Sequence, residues 1–197
     1  MKGYAVVNFK TILIASIALI VPSVAMAADT FALDPAHTQT VFMINHLGYS
    51  TITGSFHDLK GTLSLDQKAP EQSSVEVTIG TSSVDTGFQP RDDVLRSKTF
   101  FDAADFPTMT FKSTRVVVTG KGTADILGSL TMLGVTKPVV LKTLFNRLAP
   151  DQMRNNAVAV GFTGTTTIKR SDFGMKAYLP YLGDEVNITV NFEGTRQ

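Results

Sequence analysis

From Phe31 to the end of the chain, apolar and polar residues alternate almost without interruption, and this period of two limits the fold more than any other feature. Successive side chains of a strand point to opposite faces, so an apolar residue at every second position makes one buried face. Thr40, Phe42, Ile44 and His46 share a face against Val41, Met43 and Asn45. Leu59, Gly61, Leu63 and Leu65 oppose Lys60, Thr62 and Ser64, and Val75, Val77 and Ile79 alternate with Glu76 and Thr78. Later, Met109 and Phe111 start a series that passes through Ile126, Leu130, Met132, Leu141, Phe162, Ile168 and Ile188 and closes at Phe192.

The breaks between these runs carry turn chemistry. Leu47-Gly48-Tyr49-Ser50, Gln67 to Glu71, Thr119-Gly120-Lys121-Gly122, Gly134 to Pro138 and Pro150 to Asn156 each read as a turn or short loop. About eight strands joined this way predict an all-β protein, an extended antiparallel eight-stranded barrel of up-and-down type. Its inward list is large and apolar: Phe42, Ile44, Phe56, Leu59, Met109, Phe111, Leu130, Met132, Phe162 and Phe192. Gly61, Gly128 and Gly164 interrupt it, either to relieve barrel curvature or to leave space for something other than side chain. On the outward faces Val41, Met43 and Val140 offer a patch for a homodimer.

One stretch departs from the alternation. Arg91 to Ser97 has acidic residues early, Arg96 late and Pro90 where a first turn tolerates it, which predicts a helix of about two turns. With Leu95, Phe100, Phe101 and Phe106 it forms an aromatic plug that caps one end of the barrel. Arg91 and Arg96 either pair with a carboxylate such as Asp92 or Asp102, or meet a ligand's polar head.

The first residues read as an address. Lys2 and Lys10 flank an apolar run, Ile12 to Val21, which ends at an Ala-x-Ala pattern and predicts a signal peptide over residues 1–27, cut after Ala27. The run is too short for a stable membrane span. Taking 27 residues from 197 leaves 170, one domain over residues 28–197, exported to the periplasm. The 18 basic residues fall to 16 against 17 acidic, which gives no basic surface for nucleic acid. The absence of cysteine excludes disulfides, thiol catalysis, thiolate metal sites and a lipid anchor at the cleavage site.

Catalytic patterns find no support. His37, His46 and His57 lie nine and eleven residues apart, without the close spacing of metal ligands, and no metal is expected. No Gly-x-Ser-x-Gly elbow or phosphate-binding glycine loop occurs, and Asp92-Asp93 and Asp184-Glu185 read as solvated positions. His46 alone combines chemistry with inward placement, as a core histidine bonded to a carbonyl or as a polar contact for a ligand. An accessory enzyme acting on lipids or quinones through His46, or a packed barrel with only an interaction role, are the competing readings.

Several segments together resemble the YceI family of secreted, lipocalin-like proteins. These are Asp34-Pro35-Ala36-His37-Thr38, Asn45-His46-Leu47-Gly48-Tyr49-Ser50, Gly54-Ser55-Phe56, Val84-Asp85-Thr86, Arg91 to Ser97, Gly128 to Pro138 and Arg170-Ser171-Asp172-Phe173-Gly174-Met175. Leu133 is a departure, at a position where a polar residue is expected. The resemblance implies a barrel whose interior holds a polyisoprenoid, quinone-like or similarly long amphiphilic lipid, with no cofactor beyond that lipid and no chemistry of its own. The ligand contacts expected on this basis are Phe42, Ile44, His46, Phe56, Leu95, Phe100, Phe101, Phe106, Met109, Phe111, Leu130, Met132, Phe162 and Phe173.

Overall fold

The computed structural model of the chain describes residues 28–197, so the leader expected over residues 1–27 lies outside the described residues. Eleven strand segments build the sheet: β1 (Asp29–Leu33), β2 (Gln39–His46), β3 (Ser50–Phe56), β4 (Leu59–Leu65), β5 (Ser74–Gly80), β6 (Val84–Asp85), β7 (Thr108–Gly120), β8 (Thr123–Met132), β9 (Val135–Asp151), β10 (Ala157–Lys169) and β11 (Leu182–Arg196). Three of the eight strands are broken in two. β1 and β2 run one after the other along β11, β3 follows β2 and leads into β4, and β5 leads into β6 through a single 3-10 turn at Thr81–Ser83. Every neighbouring pair is antiparallel, and β1 bonds both β4 and β11, through Phe31↔Leu63 and Phe31↔Arg196, which closes the barrel. Closure removes the exposed sheet edge that an open sheet of this length would present.

The first break has a local cause. Asp34 accepts the Ala36 N–H on its side chain at 2.9 Å and the Thr38 N–H on its carbonyl, an Asx-type turn that diverts the chain between β1 and β2. A turn expected over Gly134 to Pro138 is shorter than that: Leu133 and Gly134, both at positive φ, make a two-residue hairpin and β9 starts at Val135. Pro138 is tolerated inside β9 because the β9–β10 ladder reaches only as far as Lys142↔Thr165, leaving that stretch unpaired on one side.

α1 (Gln89–Arg96) lies over one end of the barrel, within two residues of its predicted start, with Pro90 in its first turn. Arg96 ties it down by donating to the carbonyls of Ser82 and Val84 and pairing with Asp93 at 3.2 Å. The far end is held by Arg154, whose guanidinium lies 2.8 Å from Asp34, 3.1 Å from Asp151 and also pairs with Glu193. Burial acts to raise the Asp34 pKa, but the hydrogen bonds from His37 and the Ala36 N–H and the charge of Arg154 outweigh it and hold the carboxyl below its ordinary value.

The outward residues expected to make a dimer patch do not meet. Val41 and Met43 on β2 are separated from Val140 on β9 by β11 and β10, whose paired positions there carry Asn187, Thr189 and Thr165.

Candidate functional site

Inside the barrel, β2, β3, β5, β7 and β8 to β11 surround a cavity of about 410 Å³, within the usual size of small-molecule sites. The alternation that made the strands also made its wall. Phe42, Ile44, Phe56, Met109, Phe111, Leu130, Met132 and Phe162 all line it, and Val186, Ile188 and Val190 of β11 complete the circle. Ile44, Ile126, Leu130, Leu141 and Ile188 point inward yet stay only half-buried, because the space they face is open.

The three inward glycines do not share one role. A Cβ on Gly128 would collide with the Phe111 ring and with the Lys112 carbonyl at 2.7 Å, and one on Gly61 would meet the Glu76 carbonyl. Those two allow neighbouring groups to approach closely. At Gly164 a Cβ would find only Thr143 Oγ1 at 3.8 Å and Leu141 Cβ at 3.9 Å, ordinary contacts, so this glycine does leave cavity space.

The cap contributes Leu95, Phe100 and Phe101 to the wall, together with Arg91 and Val94. Phe101 stacks edge-on against Phe56 with ring centroids 5.3 Å apart, which joins the plug to the strands. Phe106 and Phe173, both expected at the ligand, do not line the cavity. Phe106 is pinned by Thr81, whose hydroxyl donates to its carbonyl at 2.7 Å, and its ring lies over Gly134 of the β8–β9 hairpin. Phe173 sits in the 3-10 turn Arg170–Phe173, buried in the core beside a groove on the outer side of β9 and β10. Neither aromatic belongs to an alternating run, so their direction was not encoded in a period.

Polar groups on the wall are few. Arg91 donates from Nε to Thr86 Oγ1 at 2.7 Å and from a terminal nitrogen to the Thr86 carbonyl, while Thr86 in turn donates to the buried Asp92. Asp92 therefore reaches Arg91 through Thr86 and not as a direct ion pair, and the Arg91 guanidinium stays at the wall. Thr40, 6% exposed, has a buried hydroxyl with no hydrogen-bond partner among the described residues, a polar group left available inside. His46 lines the cavity but lies at its α1 end, exposed, and its imidazole makes no hydrogen bond among the described residues. It is a rim group and not the carbonyl-bonded core histidine of the first alternative.

Sequence reasoning missed two contributors near this end. Arg170, 2% exposed, donates to the carbonyls of Gly183, Met175 and Leu182 and fixes the loop that carries Tyr178 onto the wall. Burial pulls its pKa down while the nearby Asp184 charge pushes it up. The motif Arg170 to Met175 was visible, but the carbonyls it serves come from residues whose position depends on the tertiary fold. Elsewhere, Asp34, His37 and Glu193 bring possible ligand atoms within 4.8 Å of one another, and Arg154 already supplies the positive charge there.

A closed, antiparallel, eight-stranded barrel with a capped apolar interior defines the lipocalin-like class of fold. Residues 31–194 match the YceI-like domain, and the chain is 44% identical over 175 residues to a UPF0312 protein of Ectopseudomonas mendocina, spanning 88% of this chain and 90% of that one. The chain belongs to the YceI-like family. Among solved structures, the Campylobacter jejuni YCEI protein is 30% identical with a TM-score of 0.70, covering 78% of this chain and 90% of that chain. A polyisoprenoid binding domain from Saccharophagus degradans shares the fold at 16% identity, with a TM-score of 0.67 over 87% of this chain and all of that one, 100%.

Proposed function

We propose that this protein is a periplasmic binding protein that holds a polyisoprenoid or quinone-like lipid chain in the barrel and keeps it out of water during storage or transfer. The observation that carries this reading is the apolar cavity of about 410 Å³, with Arg91, His46 and Thr40 among its few polar groups. A methyl-branched, unsaturated chain suits walls made of Phe, Met, Ile and Val, which adapt to it without selecting one exact length. At about 0.8 kcal/mol per buried CH₂, one five-carbon unit gains roughly 3–4 kcal/mol, so a few units offset the cost of association. Arg91 is placed to meet a polar or anionic head at the cap. The name of the Saccharophagus degradans domain points to the same ligand class.

This reading includes no chemical step. The test is calorimetric titration with isoprenoid alcohols of increasing length. Affinity is expected to rise with each added unit and then level off once the cavity is full. Affinity independent of chain length, or no binding at any length, overturns the proposal.

A further inference from the structure

The sequence contains four tyrosines, one of which, Tyr4, lies outside the described residues. The other three stand together around the α1 end of the cavity: Tyr49 is 89% exposed, Tyr181 69% and Tyr178 63%. No hydrogen bond among the described residues engages their hydroxyls. Leu47, Phe88 and Val94 are exposed at the same end.

These six side chains come from three separate segments, and each segment is anchored to a residue of the cavity wall. Leu47 and Tyr49 form the tip of the β2–β3 hairpin, directly after His46, and the Tyr49 N–H donates to the His46 carbonyl at 3.0 Å. The Leu47 N–H donates to the Tyr181 carbonyl at 3.1 Å, which joins that tip to the loop before Leu182. Tyr178 stacks on Phe100 with centroids 6.1 Å apart, and Phe88 lies under the Arg91 guanidinium at 5.7 Å. The exposed apolar groups therefore form one ring around one opening.

We propose that this ring docks the protein on the surface of a phospholipid bilayer, with the cavity mouth facing the membrane. Tyrosine has an apolar body and a polar tip and is enriched where a protein meets the bilayer interface. Side chains carried on two loops and a short helix can enter a fluid interface without a matching rigid surface, which a protein partner would have to supply. Nearby charges offset one another, since Arg96 pairs with Asp93 and Lys98 with Asp105, so docking rests on apolar insertion and tolerates salt. Insofar as the docked mouth serves lipid exchange, the inference rests on the binding function proposed above; the docking itself does not.

The test is flotation of the purified protein with vesicles of phosphatidylethanolamine and phosphatidylglycerol, at low and high salt. The wild type is expected to float in both. The double variant Tyr49→Ser, Tyr181→Ser, which leaves the cavity wall untouched, is expected to lose about tenfold or more in partitioning with its thermal midpoint unchanged. Met153→Ser, an exposed residue at the opposite end, is expected to float like the wild type. A wild type that stays with the soluble fraction, a double variant that floats normally, or retention only by an envelope protein overturns the docking proposal. Titration with farnesol in solution, run alongside, separates the two readings. Flotation without binding of farnesol or of any longer isoprenoid alcohol sinks the lipid-holding function and leaves the docking surface standing, whereas farnesol binding without flotation does the reverse.

Discussion

Gly164→Phe places a benzyl group where the backbone faces open space. Its Cβ would sit at van der Waals distance from Thr143 Oγ1 and Leu141 Cβ, so the start of the side chain meets no steric barrier. A cavity of about 150 Å³ is enough to hold a benzene ring. The new ring thus takes more than a third of the roughly 410 Å³ inside the barrel. That displaces about one isoprene unit, worth roughly 3–4 kcal/mol at about 0.8 kcal/mol per CH₂, or between two and three decades of affinity. The protein itself should not lose stability, because burying a Phe side chain in existing space contributes about 1.5–3 kcal/mol and the strand gains a residue it favours over glycine. Displacement of a bound isoprenoid reports the affinity, and urea unfolding reports the stability. Two results would refute this reasoning: unchanged affinity, which places the ligand elsewhere, or a loss of more than about 1 kcal/mol in stability, which means that the space is already filled.

Gly128→Ala is the counterpart: its methyl runs into the Phe111 ring and the Lys112 carbonyl, and a loss of about 1–3 kcal/mol in urea unfolding is expected. Arg170→Met leaves the Gly183, Met175 and Leu182 carbonyls without their donor and should cost about 3–5 kcal/mol, seen as a lower denaturation midpoint. For Asp184, burial acts to raise the pKa but the Ser171 N–H and hydroxyl and the Arg170 charge outweigh it, so the folded value lies below the unfolded one. Its stabilisation is complete above the ordinary carboxylate range and is lost as pH falls through that lower folded value. Asp184→Asn should accordingly flatten the acid limb of the stability curve measured by urea unfolding between neutral pH and about pH 2, and a limb as steep as that of the wild type would show that Asp184 does not contribute to it.

Much of the barrel was legible because one rule, alternation, specifies both strand and face. Phe42, Ile44, Met109, Phe111, Leu130, Met132 and Phe162 all point where that rule sends them. The helix was legible from Pro90 and the order of its charges. What the period could not give was the neighbour of each strand. Val41, Met43 and Val140 share the outward parity expected of them, but the two intervening strands that keep them apart are a matter of register and closure. Nor could parity distinguish a residue that fills the core from one that lines a space: Leu59 and Phe42 have the same pattern, yet Leu59 is packed away and Phe42 faces the cavity. Irregular segments were the least legible. The directions of Phe106 and Phe173 and the Leu182 and Gly183 carbonyls served by Arg170 depend on the tertiary fold, and no local signal marks them.

Native mass spectrometry of the protein isolated from its own cells, followed by extraction and mass analysis of whatever it carries, tests the lipid-holding function most directly. The proposed function requires a stoichiometric adduct whose mass fits an isoprenoid or quinone chain and which is lost from the Gly164→Phe variant. A bare polypeptide mass, unchanged after incubation with such lipids, would contradict it and leave a barrel whose cavity has no lipid to hold.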